Sequence, residues 1–504
     1  MHVEMSPELG TFRKLLDTFN HPSDEYFTEV TKLLKDYYWL LAFKWTEIFT
    51  HDVISLVPVE WHRFLDQLSS DHLERMMVEM SLDNVSTSCP QSLKLFVDTC
   101  RKLAIRLNWP SFDVHVDPDT REHRTSEKKV REVKHVAEFI DSLLRETNEE
   151  ELPVIIDVGC GLGYLTKKLS SRGFKLVGID ARGELCVKAT SSKKTSKEAL
   201  LKTTSSNRTS PEVTSSNTNS SNTNSSNTTS SNTTSSNTTS SSTTSSNTTS
   251  PEDCSRFVEM FVEDTDECLS SILNLIPADR KAVLIGLHSC GDLLKHIISL
   301  YSKSSRFVGM FCVTCCYHKI DKSQFPRSSV FREAVEGEKV ELNPVILRVG
   351  TQRTPLSWCH ELNERDLDAH TKSAAFRGIL QEVIESKPFV WKKQRSKMKL
   401  RNEFSGYIEQ VIQGFEQEER SQAFFLLERQ AEKRSPDSGL VRSLKILQTI
   451  IQPVVESAVV YDHIKYLNEL GLATWSVQCF SQTISPRNLL VISMKNIGNK
   501  KTGL

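Results

Sequence analysis

The chain has 504 residues, enough for two or three domains of ~100–200 residues each. Its hydrophobic fraction of 38% falls below the ~45–50% typical of globular domains, and a Ser/Thr/Asn tract accounts for part of that deficit. A formal charge of −1 excludes a global pull toward nucleic acid or an anionic membrane, and no run of ~18 apolar residues offers a membrane span.

The N-terminus, "MHVEMSPELGTFRKLL", carries early acids and no apolar core segment, so no secretory signal is expected. The 12 cysteines are scattered, several in strand-like runs, which suits reduced thiols in the cytoplasm, the nucleus or both. In that setting sequons such as Asn227-Thr228-Thr229 carry no glycan.

Residues 1–125 read as a helical N-terminal region. "YFTEVTKLLKDYYWLLAFKWTEIF" and "SLKLFVDTCRKLAIRL" repeat apolar residues every three or four positions, and Pro58 and Trp61 mark a turn opening a further helix. Residues 126–190 begin the catalytic core. Ser126 caps an amphipathic helix with Val130, Val133, Val136, Ala137 and Ile140 on one face. Lys128 and Lys129 in its first turn either face solvent or meet an anionic cofactor or substrate; Lys129 is the candidate contact.

"VIIDVGCGLGYLT" follows: a strand at Val154–Val158, a glycine turn and a helix from about Leu162 to Ser171 ended by Gly173. The next strand, "KLVGID", ends at Asp180, completing a βαβ unit of a parallel sheet. Ser215–Ser250 is a five-residue Ser/Thr/Asn repeat with no apolar side chain to bury, and residues 191–253 around it are expected to be a disordered insertion. Residues 254–504 resume the core with "RFVEMFVED", "KAVLIGLHSCGDLLKHII" and "RFVGMFCVTCCYHKI". They then carry a helical insertion and end in a hairpin, "WSVQCFSQTISPRNLLVISMK". The basic run "KKQRSKMKLR", Lys392–Arg401, lies within the insertion.

The glycine turn is D-x-G-x-G-x-G, from Asp157 through Gly159 and Gly161 to Gly163. A dinucleotide loop needs glycine where this chain has Tyr164, and a pyrophosphate would be repelled by Asp157 at the strand end. S-adenosyl-L-methionine has an ammonium and no phosphate. Asp180, about twenty residues on, is placed to accept from two ribose hydroxyls. Asp157, Gly159, Gly161, Gly163, Tyr164 and Asp180 are therefore assigned to that cofactor, with Glu263 or Asp264, at the expected end of the third strand, toward adenine.

The fourth and fifth strands end in His288-Ser289-Cys290-Gly291-Asp292 and Cys315-Cys316-Tyr317-His318. If the strands are neighbours, these groups meet at the carboxyl edge, where open α/β sheets bind ligands. Three readings compete: proton transfer or positioning by His288, Cys290, Asp292, Cys316, Tyr317 and His318; a soft-ligand metal site; or buried thiols and locally bonded histidines. The first is adopted and no metal ligand is assigned, because H-x-C and C-C-x-H are not common zinc spacings. Arg487 and Asn488, in the terminal hairpin, are candidate substrate contacts through a phosphate or carboxylate, against a plain turn role. The proline-rich amine motif of base-amine methyltransferases is absent from the fourth strand, and so is the Pro-Cys of cytosine-C5 enzymes.

"DVGCGLGYLT", "GLHSCGDL", "CCYHKI", "AAFRGIL" and "TISPRNLLVISMK" together resemble the methyltransferase-like protein 25 family, which includes the relative named for a ribosomal RNA adenine dimethylase domain. The resemblance implies an α/β class I methyltransferase with a Rossmann-like sheet, an N-terminal helical extension and S-adenosyl-L-methionine as cofactor. Two stretches depart from the family pattern: Lys128-Lys129-Val130-Arg131-Glu132 for K-K-x-H-E, and Asp462-His463-Ile464-Lys465-Tyr466-Leu467 for D-R-x-x-Y-L. The expected acceptor is an RNA or a protein; no DNA and no membrane partner is expected, and oligomeric state is not legible. The rival readings are a catalytically silent cofactor-binding scaffold and a metal-binding module built on the His/Cys clusters.

Overall fold

A computed structural model describes residues 19–82, 89–105, 126–147, 151–190, 255–361, 364–386 and 404–495. The Ser/Thr/Asn insertion and the Lys392–Arg401 basic run lie outside the described residues.

Seven strands form one sheet in the order β3-β2-β1-β4-β5-β7-β6. They are β1 Val154–Val158, β2 Leu176–Asp180, β3 Ser255–Glu259, β4 Ala282–Cys290, β5 Phe307–Cys315, β6 Thr474–Gln478 and β7 Leu489–Met494. The first five are parallel; β7 enters antiparallel between β5 and β6. The expected βαβ unit and terminal hairpin are present. β3, however, ends at Glu259, opposite Asp180, not at Glu263–Asp264. The apolar run continues through Phe261 and Val262, so the sequence pattern outlasts the pairing.

The sheet is covered on both faces, as nearly continuous apolar strands require. Val154, Ile156 and Val158 point to one face, with Leu284, the helix Leu293–Lys303 and the end of the helix Ser438–Glu469. Ile155, Val283 and Ile285 point to the other, against the helices Glu127–Glu146 and Tyr164–Ser170. This alternation is the two-residue period of a strand.

The remaining helices make a second core. Phe27, Leu40, Trp61 and Phe96 of the N-terminal region share it with Ile346, Leu347, Val441, Ile450 and Val455. The N-terminal region and the helices after β5 are thus one body, joined to the sheet by the 32-residue helix Ser438–Glu469. Its first part packs in the helical core, while Val460, Ile464 and Leu467 pack on the sheet. No helix among the described residues is long and apolar enough to cross a membrane.

Candidate active site

β1 delivers Asp157 to its carboxyl end, where the chain must turn sharply into the helix Tyr164–Ser170. The turn uses left-handed backbone at Gly159 (φ 76°), Gly161 (φ 57°) and Gly163 (φ 70°). Left-handed φ favours glycine, and two of these positions add a second reason. A Cβ on Gly163 would lie 2.4 Å from the Phe257 ring, so the turn can sit on β3 only without a side chain. A Cβ on Gly161 would meet nothing within 4 Å, so that glycine faces open space.

The open space is a cavity of about 340 Å³ lined by Lys129, Asp157, Gly159, Gly161, Tyr164 and Arg182, among others. Asp157 is buried at its floor and accepts a hydrogen bond from Thr166 Oγ1 at 2.6 Å. Burial pushes its carboxyl up to about 6, against the opposing pull of Thr166 and Lys129. Asp180 is also buried; it accepts from Gly161 N at 3.0 Å and from Arg182 N at 3.0 Å. Arg182 Nε lies 3.2 Å from the same carboxylate, on an exposed side chain free to swing into water. These groups suit S-adenosyl-L-methionine: an open glycine amide path, a desolvated carboxylate that gains from an ammonium, and a second carboxylate at the next strand end. Glu263 is exposed, and Asp264 faces His296 at 3.7 Å; neither lines this cavity.

β4 runs directly on from the cavity wall, since Leu287 lines it and His288 follows. The register slips between Leu287 and Ser289, and His288 takes a left-handed φ of 72°. This bulge re-aims the ring so that Nε2 lies 3.0 Å from Glu132 Oε2. Glu132, on the helix Glu127–Glu146, is buried. Burial opposes its charge, yet the hydrogen bond from His288, together with Ser485 and Lys129, holds it down at about 2. Lys129 Nζ stands 3.5 Å from the same oxygen. Because Glu132 is ionised, the shared proton belongs on His288 Nε2 and the lone pair on Nδ1.

The other expected catalytic groups divide. Cys290, Cys315 and Cys316 gather at the ends of β4 and β5, with Cys290 and Cys315 sulfurs 2.9 Å apart. Asp292 accepts from the backbone N of Asp321 at 3.1 Å, tying the β4 turn to the segment after β5. His318 is half-buried, and burial, Arg348 and Lys319 lower its basicity.

Three expected contacts are structural instead. Tyr317 is fully buried, its hydroxyl donating to Glu456 Oε1 at 3.1 Å. Arg487 is buried against that same oxygen, Nη1 at 3.0 Å, while donating to the Gly350 and Gln352 carbonyls. Asn488 is buried and donates to the Phe480 carbonyl at 2.6 Å. Both Arg487 Nη atoms and Asn488 Nδ2 are engaged by the helical body and the hairpin, while Arg487 Nε is buried without a hydrogen-bond partner. Glu132 is the residue beside His288 that sequence reasoning did not assign. A lone acid beside the apolar stripe of a helix was the available signal.

Residues 128–323 match the family described as a methyltransferase domain. The human protein named "Probable methyltransferase-like protein 25" is 24% identical over 243 residues, covering 45% of this chain and 39% of its own length. The mouse protein of the same name is 23% identical over 251 residues, covering 46% of this chain and 38% of its own. The chain thus matches about two fifths of the length of these relatives. No solved structure matches it. The strand order, the glycine turn and these similarities lead to one statement: residues 128–323 match a methyltransferase domain, and the chain is similar over that part to the proteins named methyltransferase-like protein 25.

Proposed function

We propose that the chain is an S-adenosyl-L-methionine-dependent methyltransferase in which His288, oriented by Glu132, takes the proton from the methyl acceptor. The observation that carries the cofactor reading is the buried Asp157 beneath the open Gly161 turn, with Asp180 bonded to the same turn. Bound there, the cofactor supplies an electrophilic methyl on a sulfonium.

The chain's own residues do the rest. Asp157 would hold the ammonium, and Asp180, whose Arg182 partner is exposed, would accept from the ribose hydroxyls. Glu132 fixes the His288 tautomer from behind, so Nδ1 is the proton acceptor at the carboxyl edge of β4. Leu287 and Tyr164 wall the cavity and limit water there. The acceptor is an RNA or a protein nucleophile that loses a proton on methylation.

Calorimetry of S-adenosyl-L-methionine with the full chain, Asp157→Ala and Gly161→Arg tests the site. Heat in the wild type that is lost in both variants is expected. No heat in the wild type would sink the enzyme reading, and undiminished heat in both variants would sink this pocket. Mass spectrometry of RNA and protein from cells lacking the chain then identifies the acceptor as the methyl mark that disappears.

A further inference from the structure

Three thiols meet at the carboxyl edge of β4 and β5. Register places Cys290 opposite Cys315, and the sulfurs of Cys290, Cys315 and Cys316 all lie within 4.8 Å of one another. Consecutive residues of a strand point to opposite faces, so Cys315 and Cys316 would ordinarily diverge. Cys316 instead takes a left-handed φ of 53°, which folds the chain back and brings both sulfurs to one point. Gly291 (φ 58°) completes the approach from the other side, because a Cβ there would sit 2.9 Å from Lys319. All three are free thiols, and Cys290 is exposed.

We propose that Cys290, Cys315 and Cys316 bind a soft d10 metal ion, zinc, with the fourth position open toward solvent. Zinc–sulfur bonds of ~2.3 Å set tetrahedral sulfur–sulfur edges of about 3.8 Å. The closest pair, at 2.9 Å, must part by about 0.9 Å, within reach of small side-chain rotations. A disulfide between Cys290 and Cys315 needs a comparable closing movement to ~2.05 Å, but it leaves Cys316 and its left-handed turn without a purpose. Three thiolates around a divalent ion carry one net negative charge, and Lys319 stands close enough to offset it. The Cys290 and Cys315 sulfurs already stand in hydrogen-bond contact, with a thiol proton between them. Metal uptake displaces the remaining thiol protons to solvent. A site with three protein ligands and an open position at a sheet edge has the form of a reactive zinc centre, not a closed structural one. The proposal stands whether or not the neighbouring cavity takes S-adenosyl-L-methionine.

The test is metal analysis of the full chain purified under reducing conditions, with Cys290→Ser, Cys316→Ser and, as a control, Cys89→Ser. Stoichiometric zinc is expected in the wild type and the control, and loss of at least tenfold in affinity in the other two. Cobalt added to metal-free wild type should give thiolate-to-cobalt charge-transfer absorption, a readout that needs no variant to fold. Wild type that takes up neither zinc nor cobalt overturns the proposal. So does zinc retained in Cys290→Ser, or a Cys290–Cys315 disulfide recovered by peptide mapping from metal-free protein kept without reductant.

Discussion

Folding makes Asp157 harder to ionise, and that fixes a direction for two measurements. Its carboxyl is raised by burial to about 6, so the folded chain holds this proton more tightly than the unfolded chain does. The stability from that proton is present below the unfolded value of ~3.9 and is lost as pH rises through about 6. Asp157→Asn should therefore melt above the wild type near neutral pH, with the gap closing by about pH 4. A ligand ammonium acts oppositely, because it needs the anion. S-adenosyl-L-methionine affinity should fall about tenfold between pH 7 and pH 5 in the wild type, while Asp157→Asn binds weakly with no such slope; calorimetry at stepped pH reads both. At the adjoining dyad, His288→Ala should slow methyl transfer by about 10²–10⁴ without weakening cofactor binding. Glu132→Ala should slow it as well, by releasing the ring. The placement of Asp157 and Asp180 at the carboxyl ends of β1 and β2 was legible because a strand end is a readable place. Glu132 was not: its partner is 156 residues away in sequence. The surroundings of Arg487 were hidden for the same kind of reason, since an arginine beside a turn gives no sign of the buried Glu456 that awaits it.

The glycine turn shows why three glycines in one motif are not equivalent. Gly163→Ala combines left-handed strain with a Cβ 2.4 Å from Phe257, and should cost about 2–4 kcal/mol in denaturant unfolding. Gly161→Ala meets no neighbour, so strain of about 1–2 kcal/mol remains, and the larger loss should appear in cofactor affinity. A pair of unfolding curves and binding isotherms separates the two. The strands themselves were legible at this level because parallel strands buried on both faces give continuous apolar runs. The end of β3 was not, because Phe261 and Val262 keep that run going after Glu259 has made the last pairing with Asp180. The bulge at His288 was equally hidden: nothing in "GLHSCGD" marks which residue leaves the ladder.

Two cores share one long helix, and the Arg487–Glu456 pair sits where they meet. Arg487 comes from the hairpin before β7, Glu456 from the helix Ser438–Glu469, and the carbonyls of Gly350 and Gln352 complete the junction. Arg487→Ala leaves a buried carboxylate without its cation and should cost about 3–5 kcal/mol, lowering the melting temperature. Arg487→Ala with Glu456→Gln should recover part of that loss, since the neutral amide no longer needs the guanidinium. Sequence reasoning separated residues 1–125 from the helices after β5, because periodicity reports a buried face but not its partner. The structure merges them: Phe27 packs on Phe331 with ring centroids 5.1 Å apart, and Ser457 Oγ accepts from Ile105 N at 2.7 Å.

The position of β7 also has a consequence for how the chain is made. β5 ends at Cys315, yet the strand that pairs with its outer edge is Leu489–Met494. At ~5–20 residues per second, a ribosome needs roughly 10–35 s to synthesise the intervening stretch. Throughout that time the half-built sheet presents an unpaired apolar edge, the kind of surface that recruits foreign strands. Translation arrested within the helical insertion would strand the molecule in that state, so nascent chains halted there are expected to be captured by chaperones, as ribosome-bound pulldown would show.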